Sequence, residues 1–484
     1  MNPSYVMSPF KSLLPIFNKR FTFDPLRQRR HIGIECEFPV VYRNGNAVSY
    51  AVIRELFQHL REHGFFLEHD PLTGEVISAK RPARHPTGKS AYTWDVISTD
   101  TGYSVIEISP APAADLFTLQ KVLDELLALL TAYCQPLGAM LLGYGVHPLS
   151  QPSSQMLANK SRYLLFKKWS DHRLIDRSQG HDCDLLTITA SNQTHVDVAQ
   201  DEAITAVNVL NGLSGLQIIL NANSPIWGGQ VDILSKAVRE SFWPHCFPGR
   251  TEQIGIPKQF TDMADYLEFL CAFKRQSVER NKQSIFLDGT ENFLAFMHCD
   301  QAMGKTVDGR RCTVKPAPED IYSQAAYAWF NGRLAPLYGT VEARVCCQQP
   351  PGETLCSHAL ILGLVENLSA AERLLQRHSW VEWQELKLSA LQHTFNARVL
   401  HSSVMPLLDE MLEIAAQGLQ RRKLGEEDLL APLFERLHAR QSPADRAIDL
   451  LHEQGMKGML DTLAITTAQR QQCDGFTEKR SMLC

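Results

Sequence analysis

Apolar and polar residues alternate with a period of two in several segments. This alternation predicts β-strands, because successive side chains of a strand point to opposite faces. The predicted strands are residues 31–42, 103–108, 139–146, 184–198 and 338–347. Apolar residues recur instead with helical spacing in residues 48–63, 115–134, 160–176, 201–222 and 264–273. Residues 70–100 are predicted to form a hairpin or loop, and residues 285–315 an irregular region.

From residue 354 onward the helical spacing is almost continuous, with breaks expected near Gly425 and at Ser442–Pro443. The first thirty residues are basic and show no such pattern. We therefore expect three parts. They are an irregular basic segment at residues 1–30, a body of strands and helices at residues 31–350, and a helical annex packed on that body at residues 351–484.

The composition is that of an ordinary globular chain, with 44% hydrophobic and 21% charged residues among 484. The formal net charge of −5 argues against a nucleic-acid-binding protein, while a local basic site for a nucleotide stays open. No stretch approaches 18 uncharged apolar residues, so we expect no membrane span. The twelve cysteines form no CxxC pair, which disfavours structural zinc and is typical of a reducing cytoplasm.

The polar faces of four predicted strands carry an unusual set of residues. Strand periodicity places Glu35 and Glu37 on the same face of one strand. In a second strand the residues that share a face are Ser191, Gln193, His195 and Asp197, and in a third they are Thr340, Glu342 and Arg344. In the fourth strand, Glu107 lies between apolar neighbours. A solvent-facing strand would also alternate in this way. Carboxylates are nevertheless poor strand formers, and four of them on one sheet would repel one another unless cations neutralised them.

The combined pattern therefore favours a site for several hard cations that hold a polyphosphate. Mg²⁺ and Mn²⁺ prefer carboxylate oxygens, and one histidine among them is tolerated. The sequence has no Walker A motif and no kinase signature, and Gly143-x-Gly145 is only a lone glycine pair. Any nucleotide would then be bound through metal ions and arginines rather than through a glycine-rich loop.

Seven ordered motifs resemble the glutamate–cysteine ligase family of the plant and proteobacterial type, with its carboxylate–amine ligase relatives. They are IGIECEF at 32–38, YSVIEISPAP at 103–112, KSRY at 160–163, NQTHVDV at 192–198, LNANSPIWGG at 220–229, R-x-x-x-W at 239–243 and YGTVEARVC at 338–346. The resemblance identifies residues 31–350 as the catalytic domain. It implies an α+β, glutamine-synthetase-like fold, in which a curved, largely antiparallel sheet forms a funnel with helices outside and a C-terminal helical region.

The resemblance also implies a reaction. ATP, with Mg²⁺ or Mn²⁺, would phosphorylate the γ-carboxylate of glutamate, and the amine of cysteine would displace phosphate from the acyl phosphate to give an amide, the first step of glutathione biosynthesis. The partners would be small-molecule amino acids in the cytoplasm, without nucleic acid or membrane. The sequence leaves open whether the chain forms a homo-oligomer.

The family's functional positions can be carried over one by one. Glu35, Glu37, Glu107, His195 and Glu342 match its metal ligands. Arg344 and Glu342 are the implied catalytic residues, and Arg344 and Glu37 are expected to contact the nucleotide; Arg344 could alternatively form a salt bridge with a neighbouring glutamate. Arg162, Arg239, Ser191 and Gln193 are the implied substrate-binding residues, and either arginine could instead be structural.

One departure concerns the end of the last strand. Carboxylate–amine ligase relatives often carry an aspartate shortly after the E-x-R segment, where this chain has Cys346–Cys347–Gln348. Recognition of the amine acceptor is therefore open. The alternatives are a carboxylate–amine ligase of specialised metabolism with another donor or acceptor, a phosphotransferase that stops at the acyl phosphate, and a catalytically inactive binding or scaffold relative.

Overall fold

A computed structural model describes residues 9–88, 92–163, 183–246, 251–281, 283–289 and 292–466. Its strands are β1 (Ile32–Tyr42), β2 (Phe66–His69), β3 (Val76–Pro82), β4 (Trp94–Thr99), β5 (Val105–Ser109), β6 (Ala139–Leu141), β7 (Ser191–Asp197), β8 (Ile226–Trp227), β9 (Gln230–Val231), β10 (Ile254–Gly255), β11 (Ser277–Arg280), β12 (Gln283–Leu287), β13 (Ala302–Thr306), β14 (Arg311–Val314), β15 (Trp329–Phe330), β16 (Gly332–Ala335), β17 (Thr340–Cys347), β18 (Arg398–Val399) and β19 (Ser402–Ser403).

Within the described residues, nine of these strands form one antiparallel sheet in the order β16-β17-β7-β1-β5-β4-β3-β2, with β6 paired to the end of β1. The long strand β1 runs through its middle. The predicted strands at 31–42, 103–108 and 338–347 are confirmed to within two residues. The predicted strand at 139–146 ends at Leu141, and the one at 184–198 starts only at Ser191, because residues 183–188 form a 3₁₀ helix.

The region predicted as irregular, residues 285–315, instead contributes to a second, four-stranded antiparallel sheet, β11-β12-β13-β14. The prediction failed because these strands are only four or five residues long. One local signal was present: Asp308–Gly309 lies in the connection between β13 and β14, and Gly309 has φ +88°, a left-handed conformation that suits glycine in a hairpin turn. Residues 70–100 likewise hold β3 and β4, consistent with the predicted hairpin.

The helices are α1 (Pro9–Asn18), α2 (Tyr50–Glu62), α3 (Leu116–Cys134), α4 (Ala203–Gly212), α5 (Ser214–Asn221), α6 (Val238–Ser241), α7 (Trp243–Cys246), α8 (Met263–Ala272), α9 (Phe293–His298), α10 (Asp320–Gln324), α11 (Thr354–Glu366), α12 (Leu368–Leu375), α13 (Trp380–His393), α14 (Met405–Arg422), α15 (Ala431–Ala439) and α16 (Pro443–Leu463). The lead-in predicted to be irregular thus contains a helix, α1. The single helix predicted at 201–222 is two helices, α4 and α5, bent by 53° at Leu213. Most of the helix predicted at 160–176 lies outside the described residues.

The predicted breaks in the C-terminal helices are confirmed. Gly425 has φ +80° and separates α14 from the next helical turn, and Ser442 caps α16 by accepting a hydrogen bond from the backbone of Asp445. Within the described residues, no single helix is long and apolar enough to cross a membrane; two sharply bent pairs, α4 with α5 and α11 with α12, reach that length and hydropathy only together.

One apolar cluster connects the underside of the sheet to the C-terminal helices. Ile34, Cys36 and Phe38 project from β1 into it, and α11 is buried on nearly every side. Helix α11 crosses α14 so closely that a Cβ on Gly363 would meet the Ala415 carbonyl oxygen at 2.3 Å. The C-terminal helices therefore pack against the apolar face of the sheet, and the polar residues project from the opposite face.

Candidate active site

Strand register brings the predicted polar residues together on the polar face of the sheet. Glu37 of β1 pairs directly with Glu107 of β5, and Glu35 pairs with Gln193 of β7. His195 pairs in turn with Glu342 of β17. Directly paired residues of antiparallel strands project to the same face, so the residues on these four neighbouring strands form one continuous polar row. Glu35, Glu37, Glu107, His195 and Glu342 are thus all brought into this row.

The first part of the row is an acidic trio of Glu37, Asp100 and Glu107. One carboxylate oxygen from each lies within 4.8 Å of the others. Asp100 follows β4 directly and is held at the start of the β4–β5 hairpin, where its backbone N–H donates to the carbonyl of Val105 at 2.9 Å. Three carboxylates at this spacing, with oxygen ligands only, match the donor set that Mg²⁺ and Mn²⁺ prefer.

Burial and neighbouring charges raise the pKa values of the two glutamates of the trio. Burial, together with the charge of Asp100, raises the pKa of Glu37 well above its ordinary value, although the guanidinium of Arg239 works in the opposite direction. Burial and the charges of Glu35 and Asp100 raise the pKa of Glu107 to about 7. The protein alone therefore holds Glu37 and Glu107 in an environment that disfavours their charged forms, and a bound cation would favour those forms.

The segment 160–163 supplies positive charge beside the trio. The backbone N–H and the Oγ of Ser161 each donate to Asp70 Oδ2 at 2.8 Å, which fixes this segment to the β2–β3 turn. Lys160 is buried and donates to the Thr99 carbonyl, next to Asp100; burial lowers its pKa to about 7. Arg162 is exposed and donates to the Tyr163 hydroxyl at 2.7 Å, and that hydroxyl lies 3.5 Å from Asp100 Oδ1.

The second part of the row contains Glu35, His195 and Glu342. His195 Nδ1 lies 3.1 Å from Thr340 Oγ1, while Nε2 lies 3.3 Å from Glu35 Oε1. Nε2 is buried, and among the described residues this approach to Glu35 is its polar contact. Burial lowers the pKa of His195, but the charges of Glu342 and Glu35 outweigh burial and raise it above its ordinary value.

Glu342 is engaged by two arginines. Arg333 of β16 donates to both carboxylate oxygens, from Nε at 2.6 Å and from a terminal nitrogen at 3.1 Å, and Arg344 donates to Oε1 as well. Despite burial, the charges of Arg333, Arg344 and His195 hold the pKa of Glu342 well below its usual range. Arg344 therefore forms the salt bridge that the sequence left as an alternative, and Glu342 acts first as the anchor of two guanidinium groups.

Ser191 and Gln193 support Glu37. The Ser191 backbone N–H donates to Glu37 Oε2 at 2.6 Å, and Gln193 Nε2 donates to Glu37 Oε1 at 3.1 Å. The Gln193 side-chain oxygen accepts from Arg344 at 2.5 Å, so Gln193 connects the two parts of the row. Both residues are buried, and Glu37 accepts from the backbone N–H of Ser191 and from the side-chain amide of Gln193. Their contact with a substrate remains a prediction.

Arg239 lies beneath the same region and is buried. It donates to the Arg344 carbonyl at 2.9 Å and contacts Glu240 Oε2 at 3.4 Å. It thus supports the backbone of β17 and contributes positive charge near Glu37. Of the two arginines predicted to bind substrate, Arg162 is the one with an exposed side chain.

A comparison with known protein families shows which family the chain belongs to. The sequence profile described as glutamate-cysteine ligase family 2 matches residues 31–466. The chain belongs to this family. The matched range covers both the sheet and the C-terminal helices to the end of α16, and it contains every residue of the polar row.

Individual relatives agree with the family assignment. A Rubrobacter xylanophilus protein named "Putative glutamate--cysteine ligase 2-3" is 25% identical over 387 residues, which are 77% of this chain and 87% of that protein. A Mycolicibacterium smegmatis protein named "Putative glutamate--cysteine ligase 2-2" is also 25% identical, over 40% of this chain and 44% of its own length. The chain is accordingly a ligase by family, and its particular substrates are a separate question.

A solved structure shares the fold. The crystal structure of glutamate–cysteine ligase from Francisella tularensis in complex with AMP superposes with a TM-score of 0.53 at 11% sequence identity, over 92% of this chain and 89% of that one. At this identity the likeness concerns the fold alone. It confirms the predicted α+β fold, in which a large antiparallel sheet is combined with outer helices.

Three residues of the site were not predicted from the sequence: Asp100, Arg333 and Lys160. Asp100 lies in a stretch rich in Gly and Pro and just beyond a strand, where alternation gives no phase. Arg333 lies on β16, a strand of four residues that was too short to predict. Lys160 lay within the KSRY motif but had no assigned role. The only available signal for Arg333 was its spacing from Glu342 across a short turn, which is typical of a hairpin pair.

The departure at the end of β17 has a structural explanation. Cys346 and Cys347 are buried in the last ladder positions, opposite Asn192 and Ser191. Gln348 is fully buried, and its Nε2 donates to the backbone carbonyl of Glu37 at 2.8 Å. At this position the chain thus has neutral, buried residues, and Gln348 joins the end of β17 to β1.

Proposed function

We propose that this chain is an ATP- and Mg²⁺-dependent ligase. It joins the γ-carboxylate of glutamate to the amine of cysteine through an acyl phosphate, as in the first step of glutathione biosynthesis. The observation that carries the proposal is the polar row itself: carboxylates and a histidine on four neighbouring strands, with arginines at one end, in a member of glutamate-cysteine ligase family 2. The neighbour of known structure was crystallised with AMP, in line with a nucleotide as one substrate.

Two groups of side chains would hold the metal ions. Glu37, Asp100 and Glu107 offer three closely spaced carboxylates, and Glu35 with His195 offers a second position beside Glu342. When bound, Mg²⁺ would offset the charge of the phosphates and of the side chains around it. Hydrogen bonds from Ser191, Gln193 and Gln348 to Glu37 would keep its carboxylate oriented towards a metal ion.

The arginines of β16 and β17 would stabilise the transferring phosphate. In the first step, a carboxylate oxygen of the donor attacks the terminal phosphorus and the bond to the ADP oxygen breaks. Arg344 is oriented by Glu342 and Gln193, and its buried Nε has no partner among the residues described. A donor held in this way can meet negative charge as it develops without reorganising.

In the second step the amine of the acceptor attacks the acyl carbon and phosphate leaves. Arg162 would pair with the α-carboxylate of the donor. Its side chain is exposed, and the Tyr163 hydroxyl to which it donates lies 3.5 Å from Asp100 Oδ1. Arg239 contributes through its charge and its support of β17. The neutral residues Cys346–Gln348 leave the choice of acceptor open, so a carboxylate–amine ligase with another substrate pair is the alternative reading.

Turnover with defined pairs of amino acids tests this proposal. The purified full chain is incubated with ATP and Mg²⁺, and ADP release is measured with glutamate plus cysteine, aspartate plus cysteine, and glutamate plus serine. We expect release to require glutamate and cysteine together. Glu35→Gln should abolish it, whereas Glu55→Gln, a matched change on the exposed side of α2, should not.

The other outcomes separate the alternatives. Release with a different pair would favour another carboxylate–amine ligase. ADP release with glutamate alone, accompanied by a hydroxylamine-trappable acyl phosphate but no amide, would favour a phosphotransferase. Absence of turnover with any pair, in a folded protein, would contradict the ligase proposal and favour a binding or scaffold role.

A further inference from the structure

Two tyrosines form an aromatic corner beside the second part of the polar row. Tyr338 lies on the turn between β16 and β17, and its ring meets the ring of His195 edge to face, with centroids 5.3 Å apart. Tyr92, from the segment before β4, packs against Tyr338 at 5.0 Å with an angle of 68° between the rings. Tyr338 is nevertheless 41% exposed, so part of its ring faces solvent directly beside a predicted metal ligand.

The turn that carries Tyr338 is fixed from outside the sheet. Arg20 donates to the carbonyls of Pro336 and Leu337 at 2.8 and 2.6 Å, and the Tyr92 hydroxyl donates to the Leu337 carbonyl at 2.5 Å. Gly339 has φ +69°, and a Cβ there would meet the Arg20 carbonyl oxygen at 2.3 Å. The turn is therefore fixed, and the contacts with His195 and Tyr92 hold the exposed ring in one orientation. A ring held in this way is suited to recognise a ligand, whereas an ordinary surface tyrosine can rotate.

The corner also lies within the electrostatic reach of the site. The imidazole that Tyr338 contacts lies 3.3 Å from Glu35 Oε1 and is paired across the sheet with Glu342, so the ring borders the charged groups of the row. An aromatic ring next to an anionic, cation-binding site suits a ligand with a flat aromatic part attached to phosphates. A nucleotide has this form, because its base stacks on aromatic rings while its phosphates reach metal ions and arginines.

We propose that Tyr338, supported by Tyr92, is the platform on which the purine base of the nucleotide stacks. The inference rests on the proposed function, since it assigns one end of the nucleotide to a site whose other end holds the phosphates. It adds a residue pair outside the predicted metal, catalytic and substrate-binding sets. It also gives a reason why Arg20, far away in sequence, anchors the turn.

The test compares two ligands that share phosphates but differ in the base. Binding of Mg·ADP and of Mg·tripolyphosphate to the full chain is measured by calorimetry for the native sequence, Tyr338→Ala, Tyr338→Phe and Phe117→Ala. Phe117, on α3, is 40% exposed and serves as a matched aromatic control. We expect Tyr338→Ala to weaken Mg·ADP about tenfold or more. Tyr338→Phe should restore most of that affinity, and Mg·tripolyphosphate should bind all four proteins alike.

Two results would overturn the inference. Equal weakening of both ligands by Tyr338→Ala would mean that the ring only supports His195, and unchanged Mg·ADP binding would mean that the base lies elsewhere. Failure of nucleotide binding itself, on which the proposed function depends, looks different, because the native chain would then bind neither ligand. Tyr92→Ala gives a second variant that leaves the His195 contact in place; it should weaken Mg·ADP but not Mg·tripolyphosphate.

Discussion

Glu37 and Glu107 lie directly opposite each other on neighbouring antiparallel strands, in the middle of the sheet. Like charges in this relationship destabilise a sheet, and Asp100 adds a third carboxylate within 4.8 Å. Arg239 acts to lower the pKa of Glu37 and Lys160 acts to lower that of Glu107, but burial and the neighbouring carboxylates outweigh them and raise both pKa values. The arrangement therefore costs stability in the metal-free protein, as the proposed cation site would require.

Replacing one member of the trio should separate stability from binding. We expect Glu107→Gln to raise the melting temperature of the metal-free protein and to weaken Mg²⁺ binding more than about tenfold, because repulsion and a ligand are removed together. Thermal unfolding with and without Mg²⁺ measures both effects. Glu55→Gln, on an exposed helix face, should change neither. A lower melting temperature for metal-free Glu107→Gln would contradict the repulsion on which the metal assignment rests.

The charge anchor at Glu342 makes a different prediction. Arg333→Met should destabilise the protein by about 3 kcal/mol, since a buried carboxylate loses its bidentate partner. The double variant Arg333→Met with Glu342→Gln should recover part of that loss, because the uncompensated charge is gone. Denaturant unfolding of the two single variants and the double variant gives the coupling energy. Strict additivity would show that the pair contributes no net interaction.

Stability should also depend on pH through a histidine away from the site. His147 is fully buried, its Nε2 lies 3.0 Å from Ser104 Oγ, and burial lowers its pKa to about 4. The unfolded chain therefore binds a proton that the folded chain excludes between about pH 6.5 and pH 4. The stabilisation is present above pH 6.5 and is lost as the pH falls through this window, by about 2 kcal/mol at pH 5 from this group.

Urea unfolding between pH 7 and pH 5 measures this loss. His147→Gln should show a shallower dependence on pH than the native chain. His358, whose pKa burial lowers to about 3, should account for part of the remaining slope. If the variant proves too unstable to measure, NMR titration of His147 in the native chain decides the matter. A midpoint near 6.5 would refute the prediction.

The positions of the glutamates and the histidine in the polar row could be predicted from the sequence because they lie within strands. Strand alternation fixes the face of Glu35, Glu37 and His195 once the strands are recognised, and the antiparallel order then places those strands side by side. Residues at strand ends or on very short strands carry no such phase. Asp100 and Arg333 were missed for this reason, although they complete the acidic trio and the charge anchor.

Side-chain roles were harder to predict than positions. Substrate binding by Gln193 and Ser191 remains a prediction. Periodicity did not reveal that both residues also donate to Glu37, because the backbone and amide donors of β7 lie within reach of a carboxylate on β1. The division into body and annex remains a prediction. The apolar cluster that joins the sheet to α11 depends on contacts between residues some three hundred positions apart, which periodicity alone cannot reveal.

A buried arginine of the annex is linked to the site by hydrogen bonds. Arg436 of α15 donates to Gln349 Oε1 at 2.8 Å, and the Gln349 backbone N–H donates to Gln348 Oε1 at 2.7 Å. Gln348 in turn donates to the backbone of Glu37. We therefore expect Arg436→Met to weaken Mg²⁺ binding by several-fold in addition to destabilising the chain by about 3 kcal/mol.

A neighbouring arginine provides the matched control. Arg446 shares the carboxylate of Glu353 with Arg436, but its side chain is 41% exposed. Arg446→Ala should cost no more than about 1 kcal/mol and leave Mg²⁺ binding unchanged. Calorimetric Mg²⁺ titrations at a temperature where all variants are folded compare the two positions. If Arg436→Met lost stability but bound Mg²⁺ like the native chain, the annex would support only the fold, because a disturbance at its helix would not reach Glu37.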